Sequence, residues 1–313
     1  MINILITESN NYSKEALKIL EKIGKVYQKN LDYKKLIKEI SSYDVIIVKL
    51  GIKFDERIIS KASKLKVIVS PTTGLDHLDL NFLKKKKVKV LSLKNETSFL
   101  NKINATAEFN FGLIIALMRK FKLAIDDVQL GHWDRTNFVG SELNKKTIGI
   151  IGLGRIGKKL GIYCKSFGMQ VIYYDSVVKN KSFKKIQSLK VLVSKSDVIS
   201  LNISSDNRNT NFIDKNIISN FKKGSYFINT SRGFLVDENY LAQMLKEKKI
   251  YGVALDVISN EYVSLKKNKF FKLMNDGYNV ILTPHIGGAS FESMTLTEIF
   301  MARKLKKFLE VNK

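Results

Sequence analysis

Cysteine, proline and tryptophan are nearly absent: the 313 residues include one Cys, two Pro and one Trp. A single cysteine, Cys164, can build neither an intramolecular disulfide nor a thiolate metal cluster. Within "GIYCKSFG" it reads as a packed residue of an amphipathic helix. The three histidines, His77, His132 and His285, are scattered without ligand spacing, so no metal is expected. Long apolar runs are missing too. "DVIIV" and "KVIVS" have the length of strands, far short of the roughly 20 residues a membrane helix requires. The opening "MINILITESN" turns polar by Thr7 and has neither a basic start nor a small-residue cleavage site. These absences predict a soluble, cytoplasmic protein with no membrane segment. Acid is scarce: 29 Asp and Glu face 54 Lys and Arg, a net charge of +25. Such a field attracts polyanions, yet the excess is lysine spread along the chain, as in "KKKK" at 84 to 87. No arginine-rich or aromatic-interleaved tract stands out. The distribution favours a solvated lysine surface over a nucleic-acid site.

The length predicts two domains, and 44% apolar with 27% charged residues fits a soluble globular chain. Short β-branched runs alternate with helical stretches, the pattern of parallel sheets covered by helices. The runs "NILIT" (3 to 7), "DVIIVKL" (44 to 50), "KVIVS" (66 to 70) and "KVLSL" (89 to 93) read as strands of a first unit, and "SKEALKILEKIG" as a helix stopping at Gly24. Residues 104 to 131 then read as one unusually long helix, apolar over much of its surface. A second unit follows with "TIGIIG", "QVIYYD", "DVISLNI", "SYFINT", "YGVALDV" and "NVILT". Strands apolar along their whole length belong to sheets buried on both faces. "SMTLTEIFMARKLKKFLE" reads as a C-terminal amphipathic helix.

The most specific motif is "TIGIIGLGRIGKKLG" followed by "VIYYD". Gly152, Gly154 and Gly157 form G-x-G-x-x-G between a strand and a helix, and Asp175 closes the next strand. Gly152 permits a tight turn, Gly154 a close approach of backbone to a pyrophosphate, and Gly157 close packing of helix on strand. The helix start then offers N–H groups and its positive dipole end to the phosphates. Asp175 would accept bonds from ribose hydroxyls and repel a 2′-phosphate, which favours NAD over NADP. Downstream, "INTSRGFLVD" places Arg232 past a strand end, suited to clamp a carboxylate. "VALDVISNEY" carries Asp256 and Glu261, and "LTPHIGG" carries His285. A lone histidine beside proline and glycine is more often structural. Here three strand ends deliver an arginine, a carboxylate and a histidine toward one crevice.

Together with "GHWDR" (131 to 135) and "TGLDHLDL" (73 to 80), these segments resemble the D-isomer-specific 2-hydroxyacid dehydrogenases, a family that includes phosphoglycerate dehydrogenases, from about residue 66 to 290. The resemblance implies two domains of similar doubly wound parallel-sheet topology. A substrate-binding domain spans 1–100, completed by 287–313, and a Rossmann NAD-binding domain of 101–286 is inserted in it. It implies an enzyme moving hydride between the nicotinamide of NAD and C2 of a small D-2-hydroxy or 2-keto acid, 3-phosphoglycerate or hydroxypyruvate among the candidates. His285 matches the catalytic acid/base, Glu261 its carboxylate partner, and Arg232 the substrate-carboxylate clamp. Thr73 and Gly74 match the loop whose amides receive that carboxylate. Arg155 and Ile156 match the pyrophosphate pair. Thr230, Ser231, Asp256, Gly287, Gly288 and Thr106 match positions lining the cofactor. The 104–125 helix resembles the family's interdomain and dimer segment, which implies a homodimer. Departures are Tyr262 where the family often has proline, "NIS" at 202 to 204 where it often has His-x-Pro, and no arginine beside the Gly74 loop. The chain ends soon after this core, so no C-terminal regulatory domain is expected. A regulatory or scaffold protein that keeps the fold and binds NAD(H) is the alternative, because fold does not fix function.

Overall fold

The computed structural model describes residues 1–204, 209–262 and 264–312. The chain divides into two compact units, Met1–Ile103 with Ala289–Lys313, and Asn104–Gly288.

Unit 1 contains β1 (Ile2–Ile6), α1 (Lys14–Glu21), β2 (Gly24–Gln28), α2 (Tyr33–Glu39), β3 (Val45–Ile47), α3 (Glu56–Lys61), β4 (Val67–Ser70), α4 (Leu80–Lys85), β5 (Lys89–Ser92) and α5 (Thr97–Leu100). The C-terminal α13 (Phe291–Val311) completes it. Its strands form one parallel sheet in the order β2-β1-β3-β4-β5, a doubly wound order that reverses between β1 and β3. Ser13, Asp32, Asp55 and Asp79 start α1 to α4, each side chain accepting an N–H from the first turn. One face of the sheet buries Ile4, Ile6, Val45 and Val69 with Ala16 and Leu20 of α1 and Met301, Ala302 and Leu305 of α13. The other buries Leu5, Ile46 and Ile68 against Leu36, Ile58 and Leu83. The strand β2 was not expected, since the sequence signals only a helix stop at Gly24. The stop is also the strand's start: a Cβ at Gly24 would lie 2.2 Å from the Ile2 carbonyl oxygen, so glycine lets the edge strand pair that closely.

Unit 2 opens with α6 (Ala105–Met118) and α7 (Phe121–Gln129). The single long helix expected here is two. Lys120 takes a left-handed conformation at φ +55, and its ammonium donates to the Asn137 carbonyl at 3.2 Å. The 136–141 loop also returns to donate the Ser141 N–H to the Met118 carbonyl at 3.0 Å. A distant segment thus satisfies the broken helix end. Then follow β6 (Thr147–Ile151), α8 (Arg155–Ser166), β7 (Gln170–Tyr174), β8 (Lys184–Lys185), α9 (Leu189–Lys195), β9 (Val198–Leu201), α10 (Lys215–Ile218), β10 (Ser225–Asn229), α11 (Glu238–Lys246), β11 (Ile250–Leu255), α12 (Lys269–Asn275) and β12 (Val280–Leu282). Seven parallel strands run β12-β11-β10-β9-β6-β7-β8. Read from β8, this is the Rossmann order with one added strand at the β12 edge. The two-residue β8, all lysine, has no sequence signal and exists through pairing with β7. Leu113, Ile114 and Leu117 of α6 and Leu160 and Cys164 of α8 pack on one face of this sheet, and Leu192, Leu241, Leu245 and Phe270 on the other. Burial pushes the Cys164 thiol up to about 12, so it is packing and not a nucleophile.

Both sheets thus confirm the expected α/β class with two doubly wound parallel sheets. No helix among the described residues is long and apolar enough to cross a membrane, and no group of three or more potential metal ligands occurs among them.

Candidate active site

All the strands of unit 2 point the same way, so their carboxyl ends share one edge, where open α/β sheets bind ligands. Two groups of residues meet that edge. The first lies around β6 and β7. Gly152 has φ +90, and a Cβ there would stand 2.8 Å from the Asn202 carbonyl oxygen. A Cβ at Gly157 would stand 2.3 Å from the Gly152 oxygen, which is why the helix packs so close to the turn. At Gly154 a Cβ would meet nothing within 4 Å. The protein's own packing requires glycine at 152 and 157 and leaves 154 as an open cradle. Gly154 starts α8 with no side-chain cap and no acid in the first turn. Arg155 follows immediately, half-buried, with its pKa lowered by burial. Lys159, one turn on and not anticipated from the motif, has its pKa lowered by burial and by Arg155, and it reaches the Asn104 side chain. Ile156 is half-buried beside them.

Asp175, one residue beyond β7, ties this turn together. One carboxylate oxygen accepts the Leu153 N–H at 2.8 Å, the other those of Val177 and Val178 at 2.9 and 2.8 Å. Burial works to raise its pKa, but these three bonds and the charge of Lys185 outweigh that and hold it below the usual carboxylate value. The group is anionic at neutral pH, and the oxygen on Leu153 keeps a lone pair for a hydroxyl donor.

The second group comes from β10, β11 and β12, adjacent in the sheet. Arg232 lies three residues past β10, with its guanidinium donating to the Ser231 carbonyl at 2.7 Å. Glu261 and His285 lie past β11 and β12, and the His285 Nδ1 sits 2.9 Å from the Glu261 Oε2. Their side chains remain 20% and 26% exposed for His285 and Glu261, so the pair is sheltered and still reachable. His285 itself is in the left-handed region at φ +56. A non-glycine residue pays about 1 to 2 kcal/mol for that conformation.

Asp256 supplies the compensation. Its carboxylate accepts from the Thr283 hydroxyl at 2.6 Å, the Ile286 N–H at 2.9 Å and the Gly287 N–H at 2.8 Å, and its own carbonyl accepts the His285 N–H at 2.9 Å. It is 2% exposed. Asp256, expected to line a cofactor, thus has its carboxylate committed to the histidine loop, because three donors of that loop converge on it. A Cβ at Gly287 would lie 2.9 Å from the same carboxylate, so glycine is required there, while Thr106 of α6 adjoins both Gly287 and Gly288. Ser231 also faces inward, its hydroxyl donating to the Leu201 carbonyl and its N–H to Asn229, both at 2.9 Å.

The backbone two to three residues before Glu261 is held from behind. Glu238, buried at the start of α11, accepts the Ser259 N–H at 2.6 Å, and Gly233 lets the Ile258–Ser259 backbone pass where a Cβ would stand 2.0 Å away. Thr73 and Gly74 belong to unit 1, in the loop after β4. That loop is shaped from within: Ser70 Oγ lies 2.7 Å from Thr72 Oγ1 and 3.2 Å from His77 Nε2, and the Thr72 hydroxyl donates to the Gly74 carbonyl at 2.8 Å.

Known proteins resemble this chain in sequence and fold. The family model for the NAD-binding domain of the D-isomer-specific 2-hydroxyacid dehydrogenases matches residues 111–287. The chain belongs to that family. It is 34% identical to D-3-phosphoglycerate dehydrogenase of Methanocaldococcus jannaschii, over 99% of this chain and 58% of that protein. It is 31% identical to glyoxylate reductase of Thermococcus litoralis, over 87% of this chain and 82% of that protein. Among solved structures, D-lactate dehydrogenase of Aquifex aeolicus, complexed with NAD and lactic acid, superposes with a TM-score of 0.81 at 29% identity, covering 98% and 95% of the two chains. The chain spans between 54% and 58% of the length of the first phosphoglycerate dehydrogenases it matches, so their activity does not pass to it by length alone.

The residues present fit a dinucleotide. The Gly154 cradle is open where packing does not demand glycine, the α8 start is uncapped and basic, and Asp175 is an ionised acceptor at the end of the neighbouring strand. Arg155, Ile156, Thr230 and Asp175 would hold the group along this edge.

Proposed function

We propose that the chain is an NAD-dependent oxidoreductase acting at C2 of a small D-2-hydroxy or 2-keto acid, with hydroxypyruvate and 3-phosphoglycerate as candidate substrates. The observation that carries the reading is the His285–Glu261 pair at 2.9 Å, in a strained loop fixed by Asp256, on the same sheet edge as the glycine turn. Four hydrogen bonds from the loop to the buried Asp256, one of them from His285 itself, keep the histidine at φ +56, a strain that the surrounding structure holds in place.

The bound nicotinamide would accept or supply the hydride. The protein's part is the proton and the placement. Glu261 takes His285 Nδ1, which fixes the ring and leaves Nε2 to exchange a proton with the substrate oxygen. When a keto acid is reduced, protonated His285 gives that proton to the carbonyl oxygen as C2 receives hydride, and the neutral ring recovers a proton from solvent. The reverse reaction runs the same steps backward, with neutral His285 as base. The Glu261 carboxylate, 2.9 Å from Nδ1, keeps the ring oriented in both directions of the reaction. Arg232 holds the substrate carboxylate and polarises the carbonyl. The family resemblance assigns unit 1 to substrate binding, with the amides of Thr73 and Gly74 receiving the carboxylate.

The second element of the reading is a homodimer. None of the residues of α7 is buried, and Phe121, Ile125 and Val128 lie at helical spacing on it, each about half-exposed. Leu130, Trp133 and Val139, in the segment that follows α7, are 74 to 91% exposed. A second copy is the occupant that family membership favours. Sedimentation of the wild type as a dimer and of an Ile125→Asp, Val128→Asp variant as a folded monomer would support it; a monomeric wild type would end it.

The reaction is tested by NADH oxidation across glyoxylate, pyruvate, hydroxypyruvate and 3-phosphohydroxypyruvate, with His285→Ala beside the wild type. Loss of about 10² to 10⁴ in turnover with NADH affinity kept is the expected result. NADH binding without turnover on any keto acid would favour a regulatory protein, and an active His285→Ala variant would remove the histidine from the chemistry.

A further inference from the structure

Beside the glycine turn lies a buried polar cluster of which the reading above uses only Thr230. Asn110, in the middle of α6, is fully buried in an otherwise apolar stretch, as is Ser200 of β9. The Asn110 Nδ2 lies 3.1 Å from Ser200 Oγ, 3.2 Å from Asn202 Oδ1 and 2.9 Å from Thr230 Oγ1. Ser200 Oγ donates back to Asn110 Oδ1 at 3.2 Å, and the Asn202 amide donates to Ser200 Oγ at 2.9 Å and to the Ser200 carbonyl at 3.2 Å.

Counting protons fixes the direction of these bonds. The Asn202 amide gives one proton to Ser200 Oγ, so Ser200 gives its single proton to Asn110 Oδ1. Asn110 then has two amide protons for three acceptors within 3.2 Å, Ser200 Oγ, Asn202 Oδ1 and Thr230 Oγ1, of which Thr230 Oγ1 is the nearest at 2.9 Å, and an amide nitrogen can only donate to it. Every donor inside the cluster is committed, and the chain of bonds ends on Thr230 as an acceptor. The hydroxyl proton of Thr230 is left for a partner outside the cluster.

Strand order says which part of a dinucleotide that partner is. Asp175 at β7 marks the adenosine side, and the turn after β6 the pyrophosphate. Thr230 follows β10, on the opposite side of β6, where the nicotinamide half of a dinucleotide straddling the switch point lies. We propose that Asn110 is a positioning residue which, through its bond to the Thr230 hydroxyl, fixes that hydroxyl as a hydrogen-bond donor to an acceptor oxygen on the nicotinamide nucleoside half of the cofactor. The proposal rests on the dinucleotide reading and adds to it the polarity of one contact and the residue that sets it. Asn202 belongs to the same device: its side chain completes the cluster, and its carbonyl oxygen backs Gly152. This gives a physical role to the "NIS" segment where the family often has His-x-Pro.

The test compares binding of NADH and of ADP-ribose, which lacks the nicotinamide, by titration calorimetry. Thr230→Val should weaken NADH about three- to tenfold, the worth of one hydrogen bond, and leave ADP-ribose within about twofold. Thr230→Ser should restore it. Asn110→Asp replaces the donating amide with an acceptor, so the Thr230 proton turns inward; its NADH loss should match that of Thr230→Val, and the double variant should lose no more than either alone. A structural role for Asn110 alone would weaken both ligands equally and add to the Thr230→Val loss, which overturns the proposal. Should Asn110→Asp fail to fold, Thr230→Val against Thr230→Ser decides: equal NADH affinity in both sinks the donor assignment. A wild type that binds ADP-ribose and NADH with Thr230→Val unaffected sinks only this proposal, whereas one that binds neither sinks the dinucleotide reading as well.

Discussion

The two sheets place corresponding turns, β1 to α1 in unit 1 and β6 to α8 in unit 2, at a switch point of the same kind, and they treat a negative charge in opposite ways. In unit 1 the helix start is capped by the Ser13 hydroxyl, has Glu15 in its first turn, and receives the buried Glu298 carboxylate from α13 on the Ser13 N–H at 2.7 Å. Glu298 also pairs with Lys49 at 2.8 Å, and Glu8 takes the N–H groups of Lys49 and Gly51. The protein's own carboxylates already occupy the anion-binding features of that edge. In unit 2 the corresponding helix start has glycine for a cap, arginine next, and no acid in its first turn. A doubly wound sheet therefore offers a place for a phosphate, and the few side chains around one turn decide whether the place stays open.

The largest effect should come from breaking the closed edge. Glu298→Ala leaves the Lys49 ammonium without its carboxylate and the Ser13 N–H without an acceptor, at 19% exposure for the lysine side chain. Removing one partner of a buried pair costs about 3 to 5 kcal/mol. Denaturant unfolding should show that loss while NADH affinity of the folded protein stays unchanged. A stable Glu298→Ala protein with weakened NADH binding would show that unit 1's edge is part of the nucleotide site and that the contrast is misdrawn.

A pair of substitutions sharpens the open edge. Gly154→Ala places its methyl in the empty cradle, so stability should hold while NADH binding weakens by about tenfold, or about 1.4 kcal/mol. Gly157→Ala forces a methyl to within 2.3 Å of the Gly152 oxygen. It should cost about 1 to 3 kcal/mol of stability by overpacking, seen as a lower Tm without ligand. If both variants lose stability alike and bind NADH alike, the distinction between a packing glycine and a ligand-approach glycine fails.

How much of this was legible depended on whether its cause was local. The glycine turn and Asp175 were readable because their spacing is a chemical requirement of one turn, and the buried strands because apolar side chains on both faces mark a covered sheet. The break at Lys120 was not, since the residues that satisfy it arrive from 137 and 141. Lysine gives no sign that it will adopt positive φ. Asp256 was visible as a polar residue at a strand end, but its commitment to the His285 loop depends on three donors some 30 residues away. Asn110 did leave a signal: an amide alone in "EFNFGLIIALM" has to be hydrogen-bonded if it is buried. Its partners, 90 to 120 residues distant, could be named only from the fold.

The smallest effect concerns Glu238, a carboxyl of unit 2 whose protonation folding favours. Glu298 in unit 1 has an ammonium at 2.8 Å. Glu238 has the Ser259 N–H at 2.6 Å instead. Burial raises its pKa above the ordinary 4.5, with a further push from Glu261, and the Ser259 bond and the charge of Lys269 only partly offset this. Because the folded pKa is the higher one, the stability Glu238 contributes is complete below about 4.5 and fades as pH rises through the folded value. Glu238→Gln keeps an oxygen for Ser259 and removes the titration. Its Tm should therefore exceed that of the wild type at neutral pH by at most a few degrees, with the difference vanishing as the pH is lowered through 4.5. A variant less stable than the wild type at neutral pH would mean that the charge on Glu238 is wanted, and that unit 2's edge, like unit 1's, relies on a buried ion pair.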